Sequence, residues 1–150
     1  MGTVQAYWDA HMDLLGESPR FDLDNRYWPI RTGMHPGPPA RFIGGDVDNV
    51  HIGEASLVKR ATIRNSILGR SVWVNEGAII EDSIVMDHTT VGKGAHLKRA
   101  IVDRFNIIPA DSEIGVDPVI DRRRHYVDPS GIVVVPRGGR REFLLGLEEF

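Results

Sequence analysis

The chain contains 150 residues, of which 41% are hydrophobic and none is cysteine, and its formal net charge is −3. This length fits one globular domain with a small appendage, and the lack of cysteine excludes disulfides and thiolate metal sites. The negative charge argues against nucleic-acid binding, and no apolar run approaches the ~20 residues of a membrane span. The first residues do not form a secretory signal, so we expect a cytoplasmic protein without nucleic-acid or membrane partners.

Residues 3–15 are predicted to form a short helix. Thr3 is a favourable N-cap residue, and Gly16 is a favourable stop. Apolar side chains recur at helical spacing on one face, which we expect to pack against a neighbouring surface rather than to bind a ligand. The residues on this face are Val4, Tyr7, Trp8, His11, Met12 and Leu15.

Residues 17–42 are predicted to be an extended linker. Its prolines, at positions 19, 29, 36, 38 and 39, disfavour a long helix or a central strand. Phe21, Tyr27, Trp28, Ile30 and Phe42 make the segment too apolar for a free tether. We therefore expect an arm that lies against a domain surface.

The central part of the chain carries a repeat that neither a helix nor an ordinary strand explains. Between positions 52 and 114 an aliphatic residue recurs every five or six residues, and most of these follow a small residue by two places. A period near six is typical of a left-handed parallel β-helix built from hexapeptide repeats, in which each repeat forms one side of a triangular coil. The sequence therefore predicts a mainly β protein with about four such coils, preceded by the helix and the linker.

The repeat also predicts how the core stacks. With three repeats per coil, every third aliphatic residue should fall in one column, and the resulting spacing is 16 or 17 residues. The three predicted columns are Ile52, Leu68, Val85, Val102; Val58, Val74, Val91, Ile108; and Ile63, Ile80, Leu97, Ile114. Glycines at positions 53, 69, 77, 92 and 94 are expected to supply unusual corner dihedrals or close backbone approach.

Past Ile114 the repeat stops, and a different C-terminal segment is predicted. Asp117-Pro118 breaks the pattern, and residues 128–131 (DPSG) form a turn signal. Residues 132–135 read as a strand that caps or flanks the solenoid, because the open end of a β-helix needs protection. Residues 143–150 are expected to form a last amphipathic turn.

Histidines raise two chemical possibilities, and neither is favoured by the spacing. His51, His88 and His96 could be considered as zinc ligands, but they fall at different positions of the repeat and do not converge. We therefore predict no metal site and no catalytic residue. As an alternative, a free-standing trimeric acyltransferase that binds acyl-CoA would need a general base, for which His125 or His88 could serve.

Basic residues concentrate late in the chain. Nine of the fourteen bases after position 50 lie at or beyond position 98, and eight of the nine are arginine. Arginine suits phosphate because its planar guanidinium donates two parallel hydrogen bonds. The alternative interpretation is a solvated surface held by salt bridges.

Ordered motifs make the whole chain resemble the C-terminal part of bacterial glucose-1-phosphate adenylyltransferases (ADP-glucose pyrophosphorylases). They occur in the same order as in that family. The matching segments are residues 2–15 (GTVQAYWDAHMDLL), 21–23 (FDL), 28–32 (WPIRT), 38–42 (PPARF), 97–104 (LKRAIVDR) and 130–135 (SGIVVV).

The resemblance implies a role within a larger enzyme. That family makes ADP-glucose and pyrophosphate from ATP and glucose 1-phosphate for glycogen synthesis, with magnesium, in an N-terminal nucleotidyltransferase domain. Residues 1–42 would then be the helix and linker from the end of that domain, and residues 43–150 the β-helix domain for regulation and oligomerisation. We expect this chain to hold no cofactor and to be inactive alone, with ATP and magnesium bound only by the intact enzyme.

The resemblance also assigns an effector site. The arginines that contact the activator in the family correspond to Arg104, Arg137 and Arg141. The expected partners are a phosphorylated anionic effector such as fructose 1,6-bisphosphate, the chain's own catalytic domain, and further copies in a tetramer. A second alternative to the regulatory domain is a non-catalytic β-helix assembly module.

Overall fold

A computed structural model describes residues 2–31, 33 and 37–146 of the chain. Three helices and twelve strands are defined within these ranges. The helices are α1 (Val4–Met12), α2 (Pro118–Arg124) and α3 (Arg140–Gly146). The strands are β1 (Arg41–Ile52), β2 (Leu57–Leu68), β3 (Trp73–Val74), β4 (Ile79–Glu81), β5 (Ile84–Val85), β6 (Thr90–Val91), β7 (His96–Lys98), β8 (Ala100–Val102), β9 (Ile107–Ile108), β10 (Glu113–Ile114), β11 (Tyr126–Val127) and β12 (Val133–Val135).

The repeat closes into a parallel β-solenoid of about four turns. β2 pairs in parallel with β1 on one side and with β3, β4 and β5 on the other, so one coil of chain contacts three short strands of the next. The three sides are face A (β3, β6, β9), face B (β4, β7, β10) and face C (β5, β8, β12). β1 and β2 run through all three faces.

All three predicted columns are confirmed. Val58 pairs with Val74, Ile63 with Ile80 and Leu68 with Val85, and the same register continues through the later coils. Ile63, Ile80, Val85, Leu97 and Val102 are 0% exposed. Each column is also one residue longer than predicted, because β1 adds Phe42 and Val47 and β12 adds Val135.

Left-handed backbone marks the three corners of each coil. Most of these residues are not glycine, although a positive φ is uncommon for a residue that has a Cβ atom. The column between faces A and B contains Gly44, Arg60, Gly77, Gly94 and Asp111; the next contains Asn49, Asn65, Asp82 and Arg99; the third contains Ala55, Ser71, His88 and Phe105. Of the glycines expected at corners, those at 77 and 94 have positive φ, whereas those at 53, 69 and 92 lie too close to the next coil for a Cβ.

The C-terminal end is closed by elements that sequence reasoning predicted only in part. β12 extends face C by pairing in parallel with β8, and β11 pairs with it in an antiparallel hairpin. α2 was not predicted, because Asp117-Pro118 was interpreted only as a break. Asp117 is instead its N-cap, accepting from Val119 N at 2.8 Å, and the buried Asp121 accepts from Gly115 N at 3.1 Å. The expected last turn at 143–150 lies partly outside the described residues, but α3 includes Phe143.

α1 packs on the outside of face C. Thr3 is its N-cap, as predicted, and accepts from Ala6 N at 3.1 Å. Val4, Tyr7, Trp8 and Met12 pack against a small cluster formed by Ile84, Ile101 and Ile132. Trp8 Nε1 donates to Asp82 O at 2.9 Å, and Arg99 Cζ lies 4.8 Å from the centroid of the Trp8 ring.

The linker and the first coil differ from the sequence interpretation. Phe21, Tyr27 and Trp28 are 52%, 101% and 79% exposed, so these side chains do not make the expected packing on a domain surface. β1 begins at Arg41, and the domain boundary proposed at residue 43 therefore falls inside a strand. No α-helix in the described ranges is long and apolar enough to cross a bilayer.

Candidate anion-binding site

The corner between faces C and A carries a column of charged residues. Backbone hydrogen bonds run upward from coil to coil at this corner: His88 N donates to Arg70 O, Phe105 N to Asp87 O and Gly138 N to Arg104 O, at 2.9, 3.3 and 3.1 Å. Ser71 N likewise donates to Glu54 O at 3.0 Å. In order along the solenoid, the stacked residues are therefore Glu54, Arg70, Asp87, Arg104 and Arg137.

The middle of this column is an ion pair of opposite charges. Arg70 contacts Asp87 at 3.0 Å through its guanidinium, and the Arg70 amide donates to the same carboxylate at 2.9 Å. Burial acts to raise the pKa of Asp87, but the hydrogen bonds and charge of Arg70 outweigh it, so that pKa lies below its ordinary value of 3.8. Arg70 and Asp87, on successive coils, therefore neutralise each other.

The end of the column has two arginines on successive coils. Arg104 is about half exposed and its Nε lies 3.7 Å from Asp103 Oδ1, a long contact. Arg137 is exposed and lies over the Phe105 ring, with Cζ 5.1 Å from the centroid. Within the described part of the chain, Arg137 forms no ion pair with a carboxylate. Like charges stacked on successive coils repel each other, so an anion bound beside both arginines would be favourable.

Arg141 lies close to the same corner in sequence and in space. It is the second residue of α3 and is exposed. Phe143 of this helix is 7% exposed and packs edge-on against Phe105, with ring centroids 6.1 Å apart. α3 is therefore seated beside the corner that carries Arg104 and Arg137. The structure brings these two predicted residues together on adjacent coils and places Arg141 on the helix that follows.

Phe105 is a residue of this site that sequence reasoning missed. It occupies a left-handed corner position with φ of 61° and stacks on His88, with ring centroids 5.3 Å apart and planes within 2°. Its ring supports Arg137 and contacts Phe143. The spacing of 17 residues between His88 and Phe105 was the available signal, since it equals one coil.

The three histidines considered as metal ligands lie apart. His51 Nε2 donates to Leu14 O at 3.0 Å, and His96 Nε2 lies 3.0 Å from Glu81 Oε2. His88 stacks on Phe105 at a corner, and His125 is the C-cap of α2. Within residues 2–31, 33 and 37–146, no three histidine or carboxylate side chains lie close enough together to hold a metal ion.

Comparison with known proteins places the solenoid in a family. The model of the GlmU-like C-terminal hexapeptide family matches residues 38–135. The chain belongs to this family. The match covers the solenoid through β12 and so includes the three aliphatic columns.

Curated relatives extend the similarity beyond the family model. Glucose-1-phosphate adenylyltransferase from Thermodesulfovibrio yellowstonii is 38% identical over 140 residues, which cover 93% of this chain and 34% of the relative. The enzymes of the same name from Deinococcus deserti and Corynebacterium diphtheriae are 40% and 41% identical, covering 91% and 90% of this chain and 35% and 32% of the relatives. The chain thus spans about a third of the length of these relatives and matches their C-terminal part, which confirms the resemblance.

Proposed function

We infer that the chain is the regulatory and oligomerisation domain of a glucose-1-phosphate adenylyltransferase. The reaction joins ATP and glucose 1-phosphate to give ADP-glucose and pyrophosphate for glycogen synthesis. No residue of this chain is assigned to catalysis, and magnesium and ATP would be bound elsewhere in the intact enzyme. The curated relatives carry this activity by name, and the matched region is their C-terminal part.

The observation that supports regulation most strongly is the pair Arg104 and Arg137 on successive coils. The same corner one coil earlier is neutralised by Arg70 and Asp87. Arg104 and Arg137 lie on successive coils, and Arg104 makes only a long contact of 3.7 Å to Asp103. Two such arginines favour a ligand with two or more negative oxygens, and a phosphate group fits this requirement. Arg141 on α3 supplies a third cation near the site. A phosphorylated effector is therefore the proposed ligand.

The first coil supports self-association. β1 pairs with β2 along one edge, and its side chains include the partly exposed Phe42, Ile43 and Val47. A long apolar edge strand favours pairing with another chain. We propose that this end of the solenoid contributes to a homo-oligomer, as the tetrameric state implied by the resemblance requires.

The linker supports contact with a catalytic domain. Tyr27 and Trp28 are 101% and 79% exposed, and Phe21 and Ile30 are about half exposed. Clustered exposed aromatic and aliphatic side chains usually mark an interaction surface. About two thirds of each curated relative lies outside the match, and we propose that this portion covers the linker. A cytoplasmic location is part of the same proposal.

Activation measurements test the effector site directly. In an adenylyltransferase that carries this chain as its C-terminal part, Arg104→Ala and Arg137→Ala should each raise the fructose 1,6-bisphosphate concentration needed for half-maximal activation. A charge-assisted hydrogen bond contributes about 1.5–3 kcal/mol, so the expected increase is about tenfold or more. The rate without effector should stay unchanged.

A matched control comes from another corner of the solenoid. Arg60 lies between faces A and B and pairs with Glu76 at 2.7 Å. Arg60→Ala should leave the activation constant unaltered. If Arg104→Ala and Arg137→Ala behave like this control, the assignment of the site is wrong.

A further inference from the structure

Face A, a different side of the solenoid from the one that α1 covers, carries a cleft of about 330 Å³. Trp73 of β3 lines the cleft and is 44% exposed, whereas Val72 and Val74 on either side of it point into the core. The neighbour of Trp73 on the next coil is Thr90, whose side chain is too short to cover the indole. The cleft therefore presents an exposed aromatic ring with free volume beside it, within the usual size range of binding pockets, about 300–1,000 Å³.

Two lysines line the same cleft, and both lack a carboxylate partner. Lys59 lies one coil before Trp73, and Lys93 lies one coil after it. Within the described part of the chain, neither lysine forms an ion pair. Glu76, one coil before Lys93, is not available to it because the Glu76 carboxylate pairs with Arg60 at 2.7 Å. An aromatic ring with unpaired ammonium groups on both sides favours an occupant that carries an apolar side chain and carboxylates.

The linker presents a short turn with the opposite charge pattern. Leu23 is 41% exposed and lies between Asp22 and Asp24, and Asp24 N donates to Asp22 Oδ1 at 2.8 Å to hold the turn. Neither carboxylate forms an ion pair with another described residue, and the preceding base, Arg20, pairs with Asp13 at 3.5 Å. This linker tip (residues 22–24) therefore exposes one aliphatic side chain and two unpaired negative charges.

We propose that the linker tip of one copy docks in the face A cleft of a second copy. Leu23 contacts the Trp73 indole, and the two aspartates pair with Lys59 and Lys93. The inference rests on the self-association that the proposed function includes, and it names an interface distinct from the β1 edge. Burial of an aliphatic side chain against tryptophan supplies most of the affinity, whereas the charges select the partner and its orientation, since exposed ion pairs contribute little.

In its own chain the linker tip lies outside the cleft, because the linker is tied to two corners of the first coil. Gly16 N donates to Asn49 Oδ1 at 2.7 Å before the tip, and Ala55 N donates to Pro38 O at 2.7 Å after it. A two-fold axis between copies makes the contact reciprocal, so that each copy inserts its tip into the other and receives one. Two contacts then form in each dimer, and every substitution acts twice. The linker aromatics assigned above to the catalytic domain are not part of this contact.

Sedimentation equilibrium of the 150-residue chain tests the apolar part of the contact. Trp73→Ala removes the ring, and Leu23→Ser removes the side chain that meets it. Because each substitution acts twice in the dimer, both should raise the dissociation constant at least about tenfold. Circular dichroism establishes that each variant is folded. Leu23 lies outside the solenoid core, so Leu23→Ser decides the test if Trp73→Ala does not fold.

Charge reversal tests the polar part. Lys93→Glu and Asp24→Lys each place like charges opposite each other and should weaken the dimer. The matched controls are Lys98→Glu on face B and Glu17→Lys at the start of the linker, which make the same charge changes at exposed positions outside the contact. Both controls should leave the dissociation constant unchanged.

Mixing the two charge variants gives the sharpest outcome. A dimer of Lys93→Glu chains, or of Asp24→Lys chains, contains two repulsive contacts. A mixed dimer contains one native contact, between the unchanged tip of the Lys93→Glu chain and the unchanged cleft of the Asp24→Lys chain. The mixture should therefore associate more tightly than either variant alone. A mixture no tighter than its components would overturn the docking of tip in cleft.

Ile43→Lys on β1 separates this interface from the other proposed one, because Ile43 is 37% exposed on the edge strand. If Ile43→Lys weakens association and the cleft and tip variants behave as their controls do, the docking proposal is wrong and self-association through β1 stands. If the cleft variants weaken association but Leu23→Ser and Asp24→Lys do not, the assignment of the linker tip is wrong. A wild-type chain that stays monomeric at every concentration would contradict both this interface and the proposed self-association.

Discussion

The first coil and the middle coils of the solenoid have the same backbone and very different burial. Val47 occupies the same column as Ile63, Ile80 and Leu97, yet it is 38% exposed whereas the other three are 0% exposed. The difference arises because Ile63 has a coil on either side of it, whereas β1 pairs with β2 along one edge only. In a solenoid each coil contacts only its neighbours, so burial depends on position along the stack as well as on the repeat.

The corner between faces C and A shows the same kind of contrast at the C-terminal end of the solenoid. Arg70 and Asp87, in the middle, form a pair of opposite charges. Arg104 and Arg137, on the last coils, are neighbours of like charge. The first coil has a neighbouring coil on one side only, so more of its surface is open to a partner. This is why the oligomerisation site proposed at β1 and the proposed effector site are both assigned to the ends of the stack.

The largest expected loss of stability comes from replacing a valine by alanine in a middle coil, compared with the same replacement in the first coil. Val74→Ala removes a side chain that is 1% exposed and should lower the free energy of unfolding by about 2–3 kcal/mol, through lost burial and a residual cavity. Val47→Ala should lower it by less than about 1 kcal/mol, since that side chain is already partly in water. Urea unfolding at constant m-value measures both. Equal losses in the two variants would mean that the first coil is covered in solution.

The columns could be predicted from sequence because the period reports directly on stacking. A bulky aliphatic every five or six residues has no other simple explanation, and the pairing of Ile63 with Ile80 and of Ile80 with Leu97 follows from it. The first coil escaped this reasoning because the repeat was recognised only from position 52 onward. Gly44 and Gly45 lie inside β1, which precedes that position, and both have positive φ.

The second largest expected loss of stability comes from removing the buried hydroxyl of Ser83. Ser83 is 0% exposed, and its Oγ accepts from Ala100 N on the next coil at 3.1 Å and donates to Glu81 O at 2.6 Å. Ser83→Ala leaves the Ala100 amide without this partner, which should cost about 1–2 kcal/mol. The exposed Ser18→Ala is the control and should change the unfolding midpoint little. A loss below about 0.5 kcal/mol for Ser83→Ala would show that the middle coils do not depend on this hydroxyl.

The candidate site could be predicted only in part, for a physical reason. Arg104 and Arg137 were identified by resemblance, but their adjacency depends on β12 stacking on β8, which pairs Val135 with Val102 across 33 positions of sequence. Local patterns carry no information about such a contact.

α2 was missed because seven residues are too few to show helical periodicity, although Asp117 followed by Pro118 is a favourable helix start. Phe105 sits at a corner, outside the aliphatic repeat.

The smallest predicted effect concerns the ion pair in the middle of the charged corner. At pH 7, Asp87→Asn should lower the free energy of unfolding by no more than about 1 kcal/mol, because the carboxylate and Arg70 are partly solvated and the pair is screened. Arg70 and His88 both favour the ionised carboxylate, and the pKa of Asp87 therefore lies below 3.8 in the folded chain. The contribution is fully present above the unfolded pKa and is lost as the pH falls through the folded pKa.

Comparing the pH dependence of the wild type and Asp87→Asn therefore isolates this pair from every other carboxylate. The difference between the two unfolding free energies should be constant from pH 7 down to about pH 5 and should shrink towards zero below about pH 4. Chemical denaturation at each pH gives the two curves. A difference that persists at the lowest pH would mean that Asp87 acts through its shape and its backbone contact to Arg70 rather than through its charge. The middle of the corner would then not be neutralised by charge pairing, and the contrast with Arg104 and Arg137 would lose its basis.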